Sequence, residues 1–289
     1  MKTEHIEVGK DRKLALITGG SSGIGYALAK QFYRQGYSLV LVGRDERKLR
    51  QAAARLVNSD TSNSYRNASG EKHGRQQYDR QSGGIVETVS CDLTRQEECV
   101  RLHELYRDRI VDVLVNCAGF GVHGDFVGTD GQKETEMLDV NCRAVHLLMK
   151  WFLQDMQKRG GGTILNVASS AGLVPGGPYM AAYYATKSYV VSLTRSVAEE
   201  LRAQKSPVYV AALCPGPVDT PFFGRAGIGT AGAAASPDTV AGAAMRGMEK
   251  RKTVIIPGVS NQLACMAAKV LPAGMILKVN RKIQERKKR

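Results

Sequence analysis

A short apolar run, Lys13-Leu14-Ala15-Leu16-Ile17-Thr18, leads directly into Gly19-Gly20-Ser21-Ser22-Gly23-Ile24-Gly25. A helical pattern then opens, Tyr26-Ala27-Leu28-Ala29-Lys30-Gln31-Phe32. Strand, glycine turn and helix in that order constrain the fold more than any other stretch, because together they make a phosphate cradle. Glycine admits positive φ and close backbone approach. The helix N-terminus offers free N–H groups and the favourable end of its dipole to a pyrophosphate. The loop reads T-G-x-x-x-G-x-G, not G-x-G-x-x-G, so by itself it also suits an ordinary glycine-rich turn. The flanking strand and helix favour the cradle, with Gly19, Ser21, Ser22, Gly23, Ile24 and Gly25 as its expected lining.

The next apolar run is Ser38-Leu39-Val40-Leu41-Val42. A dinucleotide fold specific for NAD places an acid near the end of this strand, to bind the ribose 2′-hydroxyl. Gly43 stands there and Arg44 follows. A guanidinium fork suits a 2′-phosphate, so NADP(H) is expected over NAD(H). Asp45 and Glu46 are the rivals: either reaches a ribose if the strand ends later.

Tyr183 and Lys187 stand at i and i+4, and Ser170 precedes the tyrosine by thirteen positions. On a helix the pair shares one face. An unperturbed phenol titrates near about 10, and a neighbouring ammonium lowers that value. A serine hydroxyl from another segment can hold a substrate oxygen for the proton. Many helices carry Tyr-x-x-x-Lys on a solvated face, so the pair gains meaning only beside the glycine loop. Ser169 and Tyr184 are the neighbouring rivals.

Apolar runs alternate with helical patterns along the chain, which predicts a doubly wound parallel α/β sheet with helices on both faces. Strands are expected at 13–18, 38–42, 85–90, 111–116, 162–167, 207–213 and 253–256, with helices over 46–57, about 132–158 and about 182–203. One dinucleotide-binding domain is expected over 1–260, with a basic helical appendage over 261–289. Residues 58–84 are mostly Ser, Asn, Gln, Arg and Gly, which predicts a polar insertion that buries no core. The small and apolar stretch after Thr220 predicts a substrate loop over about 221–240.

These motifs together resemble the classical short-chain dehydrogenase/reductases. The resemblance runs over roughly residues 10 to 225. It is carried by Thr18–Gly25, Cys91-Asp92-Leu93, Asn116-Cys117-Ala118-Gly119, Asn141, Asn166-Val167-Ala168-Ser169-Ser170, Tyr183-Tyr184-Ala185-Thr186-Lys187 and Pro215-Gly216-Pro217-Val218-Asp219-Thr220. It implies a single-domain Rossmann fold and a catalytic tetrad of Asn141, Ser170, Tyr183 and Lys187. It further implies cofactor contacts at Asp92, Leu93, Asn116, Ala118, Gly119, Pro215, Gly216, Val218 and Thr220, as well as at Tyr183 and Lys187. In the family Lys187 also holds the nicotinamide ribose and Asn141 orders a water. Cys117 departs from the usual Asn-Asn-Ala-Gly, which bears on a local hydrogen bond. The two long helices build a dimer face in the family, so a homodimer or homotetramer is implied. Ala171–Tyr183 and Cys214–Pro217 resemble the bacterial DltE-like oxidoreductases. Reductases of 3-ketosphinganine and of long-chain 3-ketoacyl groups, and hydroxysteroid dehydrogenases, are more distant. The implied reaction is hydride transfer between NADP(H) and a carbonyl or alcohol.

Composition narrows the alternatives. No run of eighteen apolar residues exists, and the first residues lack the apolar core of a signal peptide, so a cytoplasmic protein is expected. Six scattered cysteines and five histidines show no metal-ligand spacing, so reduced thiols and no metal are expected. Of the net charge of +14, Glu249–Arg289 contributes +9. Such a run is commonly a solvated face; it also suits weak contact with an anionic membrane surface. No nucleic-acid-binding motif accompanies it. A non-catalytic dinucleotide-binding protein is the competing reading, but all four tetrad residues are present. A greasy substrate with an anionic head suits the apolar loop and cationic tail.

Overall fold

The computed structural model describes residues 12–67, 84–222 and 234–286. Seven parallel strands form one sheet in the order β3-β2-β1-β4-β5-β6-β7. They are β1 (Leu14–Thr18), β2 (Ser38–Gly43), β3 (Val86–Ser90), β4 (Val113–Asn116), β5 (Thr163–Val167), β6 (Tyr209–Leu213) and β7 (Val254–Ile255). Every expected strand is present.

Alternation along each strand splits the core into two layers. Ala15, Ile17, Leu39 and Leu41 face one side. They pack against α1 (Gly23–Arg34), the start of α2 (Glu46–Asn67) and α7 (Pro237–Glu249). Leu14, Leu16, Val40 and Val42 face the other side, against α3 (Gln96–Leu105), α5 (Val145–Lys158) and the end of α6 (Ala181–Ala203). Burial on both faces explains why these strands read as continuous apolar runs. Strand order reverses between β1 and β4, and at such a switch point the carboxyl ends of the strands open a crevice.

Four boundaries differ from the sequence reading. Helix α2 continues to Asn67, so residues 58–67 of the supposed insertion are helical. Leu49, Ala52 and Leu56 seat its first turns on the sheet. Once nucleated, each further turn needs only its own backbone hydrogen bonds, and no apolar face. The rest of that insertion, 68–83, lies outside the described residues. The helix expected over about 132–158 is α4 (Gly131–Leu138), a π-helical turn (Asp139–Ala144) and α5 in succession. Such bulges recur at functional sites, and this one carries Asn141. The supposed substrate loop ends earlier than expected, because Ser236 caps α7, whose first residue is Pro237. Residues 223–233 of that loop lie outside the described ones. Finally, the appendage is a helical hairpin, α8 (Val259–Val270) and α9 (Ala273–Glu285), packed on the domain. Asn261 Nδ2 donates to Cys214 O at 3.3 Å, and Asn280 Nδ2 donates to Gly176 O at 2.6 Å. Among the described residues no helix is long and apolar enough to cross a membrane.

Candidate active site

At the switch point Thr18, Asn116 and Asn166 lie side by side in adjacent strands. Thr18 Oγ1 accepts from the N–H groups of Cys117 and Ala118 at 3.0 and 3.1 Å. The turn after β4 is therefore tied to β1 through backbone groups, and the cysteine at 117 leaves that tie intact. Asn116 Nδ2 donates to Asn166 Oδ1 at 2.9 Å, and Asn166 Nδ2 donates to Thr194 Oγ1 at 3.0 Å. Asn116 is buried in this polar row, beneath the cleft and not on it. Expected as a cofactor contact, it ties β4 to β5 in this structure.

The glycine loop wraps the crevice. Gly19 and Gly23 have φ of +67° and +55°, values that L side chains rarely adopt. A Cβ on Gly25 would come within 2.4 Å of Gly19 O, so helix α1 approaches the loop where no side chain fits. Ser22 precedes α1 in extended conformation and its side chain makes no capping bond. The first N–H groups of α1 thus keep no side-chain cap, as an anion cradle requires.

A cleft of about 490 Å³ runs from this loop across the carboxyl ends of the strands. It is lined by Gly19, Ser21, Ser22, Gly23, Ile24, Gly25, Arg44, Asp92, Leu93, Ala118, Gly119, Pro215, Gly216, Val218 and Thr220, all expected there. Ser170, Tyr183 and Lys187 line it as well. The rivals Ser169 and Tyr184 and Phe222 of the expected substrate loop line it too, while Lys48, Phe120, Met180 and Gln284 were not foreseen there. Lys48 lies one turn into α2 from Arg44, a spacing visible in the sequence. Gln284 arrives from α9 and has no local signal at all.

At one end, Arg44 follows the last residue of β2. Both rival acids are occupied. Asp45 Oδ1 accepts from Lys48 N at 3.0 Å and Oδ2 pairs with Lys48 Nζ at 3.3 Å. Glu46 pairs with Arg50. The Lys48 N–H first, then its ammonium, hold the Asp45 carboxyl below its usual value.

At the other end, Tyr183 and Lys187 share the buried face of α6. Ser169 and Ser170 both line the cleft, and the Ser169 hydroxyl acts on the Tyr183 phenol by a side-chain hydrogen bond that lowers its pKa. Ser169 is the extended residue before a 3-10 turn (Ser170–Leu173), and its Oγ also accepts from Ala171 N at 3.1 Å. Ser170 makes a backbone bond to Pro215 O at 2.8 Å. The segment between serine and tyrosine carries positive φ at Gly176 and Tyr179. Such an irregular path leaves a residue count unable to choose between adjacent serines.

Burial pushes the Tyr183 phenol up to about 12, with the Ser169 hydrogen bond opposing it and Tyr184 adding to it. Lys187 stands one helical turn on from the phenol, on the same buried face of α6. Its Nζ donates to Val167 O at 3.0 Å and lies 5.8 Å from the Tyr183 ring centroid. Burial lowers the lysine's own pKa.

Asn141 is fully buried beneath the cleft. Its Oδ1 accepts from Phe120 N at 3.2 Å, and its Nδ2 donates to Phe120 O at 2.9 Å and to Thr186 Oγ1 at 3.1 Å. The π-helical turn therefore clamps the β4 loop to α6. Asn141 thus sits behind the turn of α6 that carries Tyr183 and Lys187, and is not among the residues lining the cleft.

Around Tyr183 the walls are apolar: Met180, Phe222 and Tyr184 pack with it, the Phe222 ring at 5.3 Å. Gln284 closes this end. It is 3% exposed, and its Nε2 donates to Tyr184 Oη at 3.0 Å.

The model of the short chain dehydrogenase family matches residues 13–69 and 62–228. An uncharacterized oxidoreductase of Staphylococcus saprophyticus is 31% identical over 214 residues, covering 73% of this chain and 81% of the relative. A short-chain dehydrogenase from Sphingobium yanoikuyae, solved in complex with NADPH, superposes with a TM-score of 0.74 at 30% identity, over 91% of this chain and 95% of that one. A bulky-bulky ketone specific alcohol dehydrogenase from Comamonas testosteroni gives a TM-score of 0.70 at 26% identity, covering 92% and 94%. With its glycine cradle, its Tyr-x-x-x-Lys helix and a match over most of its length, the chain belongs to the short-chain dehydrogenase family of oxidoreductases.

Proposed function

We propose that the chain is an NADP(H)-dependent carbonyl reductase acting on bulky, apolar ketones. The observation that carries this reading is a single cleft holding the glycine cradle at one end and the Ser169–Tyr183–Lys187 cluster at the other. A bound NADP(H) would be held by the first turn of α1 at its pyrophosphate and by Arg44 and Lys48 at its 2′-phosphate. Asp92 and Leu93 would flank its adenine, and Val218 and Thr220 its carboxamide. The chemistry it supplies is a hydride to the carbonyl carbon, or its removal in the reverse direction.

The chain's own residues manage the oxygen. Ser169 Oγ orients it, and Tyr183 Oη delivers the proton. A phenol held near 12 is protonated at neutral pH, the state that reduction requires. Lys187 Nζ, one helical turn away, stabilises the phenolate left behind. Met180, Phe222 and Tyr184 exclude water and favour an apolar substituent on the carbonyl. The reference ketone specificity of the Comamonas enzyme points the same way. Two positive side chains beside two occupied acids favour NADPH over NADH. A homodimer or homotetramer through the outward faces of α5 and α6, where Tyr189 and Trp151 remain partly exposed, accompanies this reading.

The test is NADPH consumption against a panel of bulky aryl and long-chain ketones, ketoacyl thioesters and polar sugars, with Tyr183→Phe alongside. Turnover of the apolar ketones should fall at least about 100-fold in the variant while NADPH still binds. Wild-type turnover by Tyr183→Phe would overturn the mechanism, and a preference for sugars would overturn the substrate class.

A further inference from the structure

The two faces of the α8–α9 hairpin differ sharply. The inner face belongs to the domain. Cys265 and Ala268 of α8 are buried, and Asn280 and Gln284 of α9 bond to Gly176 O and Tyr184 Oη. The Tyr179 hydroxyl donates to Glu285 Oε1 at 3.1 Å, which pins the end of α9.

The outer face has no partner in the fold and is apolar. On α8 it carries Val259, Leu263, Met266 and Val270, spaced by four, three and four, with Val259 72% and Val270 84% exposed. Leu271 continues it through the bend, and Met275, Val279 and Ile283 extend it along α9 at intervals of four. Nowhere else among the described residues do so many large apolar side chains stand exposed in one run. A contiguous exposed stripe of this kind marks an interaction surface.

Charge selects the partner. Lys278, Lys282 and Arg286 also recur at intervals of four, so they form a second row beside Met275, Val279 and Ile283. Lys269 adds a cation at the end of α8, and Glu285 is the one acid between Val259 and Arg286. Apolar and basic rows in parallel on one helix are the signature of a helix lying in a lipid interface, with its cations among anionic headgroups. A second copy docking through the same face would bring the same cationic row against itself, with Glu285 already bonded to Tyr179.

We propose that the α8–α9 hairpin docks this protein on the surface of an anionic lipid bilayer. The stripe from Val259 to Ile283 beds at the headgroup boundary, and Lys278, Lys282 and Arg286 bind lipid phosphates and carboxylates. Gln284, on the opposite side of α9, leaves the cleft and its chemistry unchanged by docking.

Flotation of the full chain tests this with vesicles of phosphatidylcholine alone and with vesicles that also contain phosphatidylserine, at low and high salt. The expected result is flotation with the phosphatidylserine vesicles that weakens with salt, and little with phosphatidylcholine. Lys278→Glu with Lys282→Glu should lose it, and Leu263→Ser with Val279→Ser should reduce vesicle affinity at least tenfold. All four positions are exposed, so thermal midpoint and NADPH affinity should stay at wild-type values in both variants. No flotation with either vesicle overturns the proposal, as does binding that ignores both charge reversal and salt. If Leu263→Ser with Val279→Ser splits a dimer in sedimentation velocity and leaves vesicle binding intact, the face is a contact between copies and the proposal fails. Vesicle binding is read without turnover, so its outcome is independent of the reaction proposed above.

Discussion

Ser169 and Ser170 differ by one position, and the proposed mechanism gives them different work. Ser169 reaches the Tyr183 phenol, while Ser170 contributes a backbone bond to Pro215. Ser169→Ala should lower kcat about 100- to 1,000-fold, the cost of removing one donor to a developing oxyanion. Ser170→Ala should change it only a few-fold. Steady-state kinetics of the two variants on one ketone decide the assignment, and the reverse order would return the role to Ser170. Arg44 offers a second test at this scale. With Asp45 and Glu46 occupied by Lys48 and Arg50, the guanidinium is the group free to meet a 2′-phosphate. A charge-assisted bond contributes about 1.5–3 kcal/mol, so Arg44→Ala should weaken NADPH binding about ten- to a hundredfold. NADH binding should hardly move. Titration of both cofactors by fluorescence checks the prediction, and equal affinity of wild type for the two would reject it.

At the scale of elements, the site depends on contacts between backbones that a side chain cannot enter. Gly25, in the first turn of α1, is the sharpest case, because an added methyl would meet Gly19 O at 2.4 Å. Neither group can move without shifting loop or helix. Gly25→Ala should therefore cost about 1–3 kcal/mol of stability and also weaken NADPH binding. Gly131 opens α4 and has nothing within 4 Å of an added Cβ, so Gly131→Ala should be neutral or stabilise by up to about 1 kcal/mol. Urea denaturation of the two variants separates a glycine required by close approach from one that is not. The π-helical turn belongs to this scale too. Its periodicity passes for ordinary helix in the sequence, since Met137, Val140, Val145 and Leu148 still fall on a buried face. Only the hydrogen bonds that Asn141 makes to Phe120 and Thr186 show why the ladder shifts there.

For the whole molecule, buried phenols set an alkaline limit. Burial raises Tyr183 to about 12 and Tyr209 to about 12. Phenols of the unfolded chain titrate near about 10. Between those values the folded state keeps protons that the unfolded state has lost, so stability is intact below pH 10 and declines as pH rises toward 12. Thermal midpoints measured across that window should fall, and Tyr183→Phe should flatten the slope. A flat wild-type profile would show that these phenols titrate normally.

Sequence alone determined the architecture. Apolar runs mark the strands without reference to anything distant, unbroken where both faces are buried, as in β1, β2, β4 and β6. The glycine loop and Tyr-x-x-x-Lys helix are likewise local patterns, whose spacing carries their chemistry. What the sequence left open depended on approach across space. Asn116 and Asn141 read as site residues, and the packing of β5 and α6 decided which partners their buried amides meet. The proposed choice of Ser169 over Ser170 rests on an irregular path between two fixed elements. Gln284 entered the cleft because α9 folds back over the first turn of α6, a hundred positions earlier in the chain. Local pattern is set by backbone geometry and burial, which each segment carries with it. Which side chains meet is set by how the segments pack, and that is decided only when the chain has closed on itself.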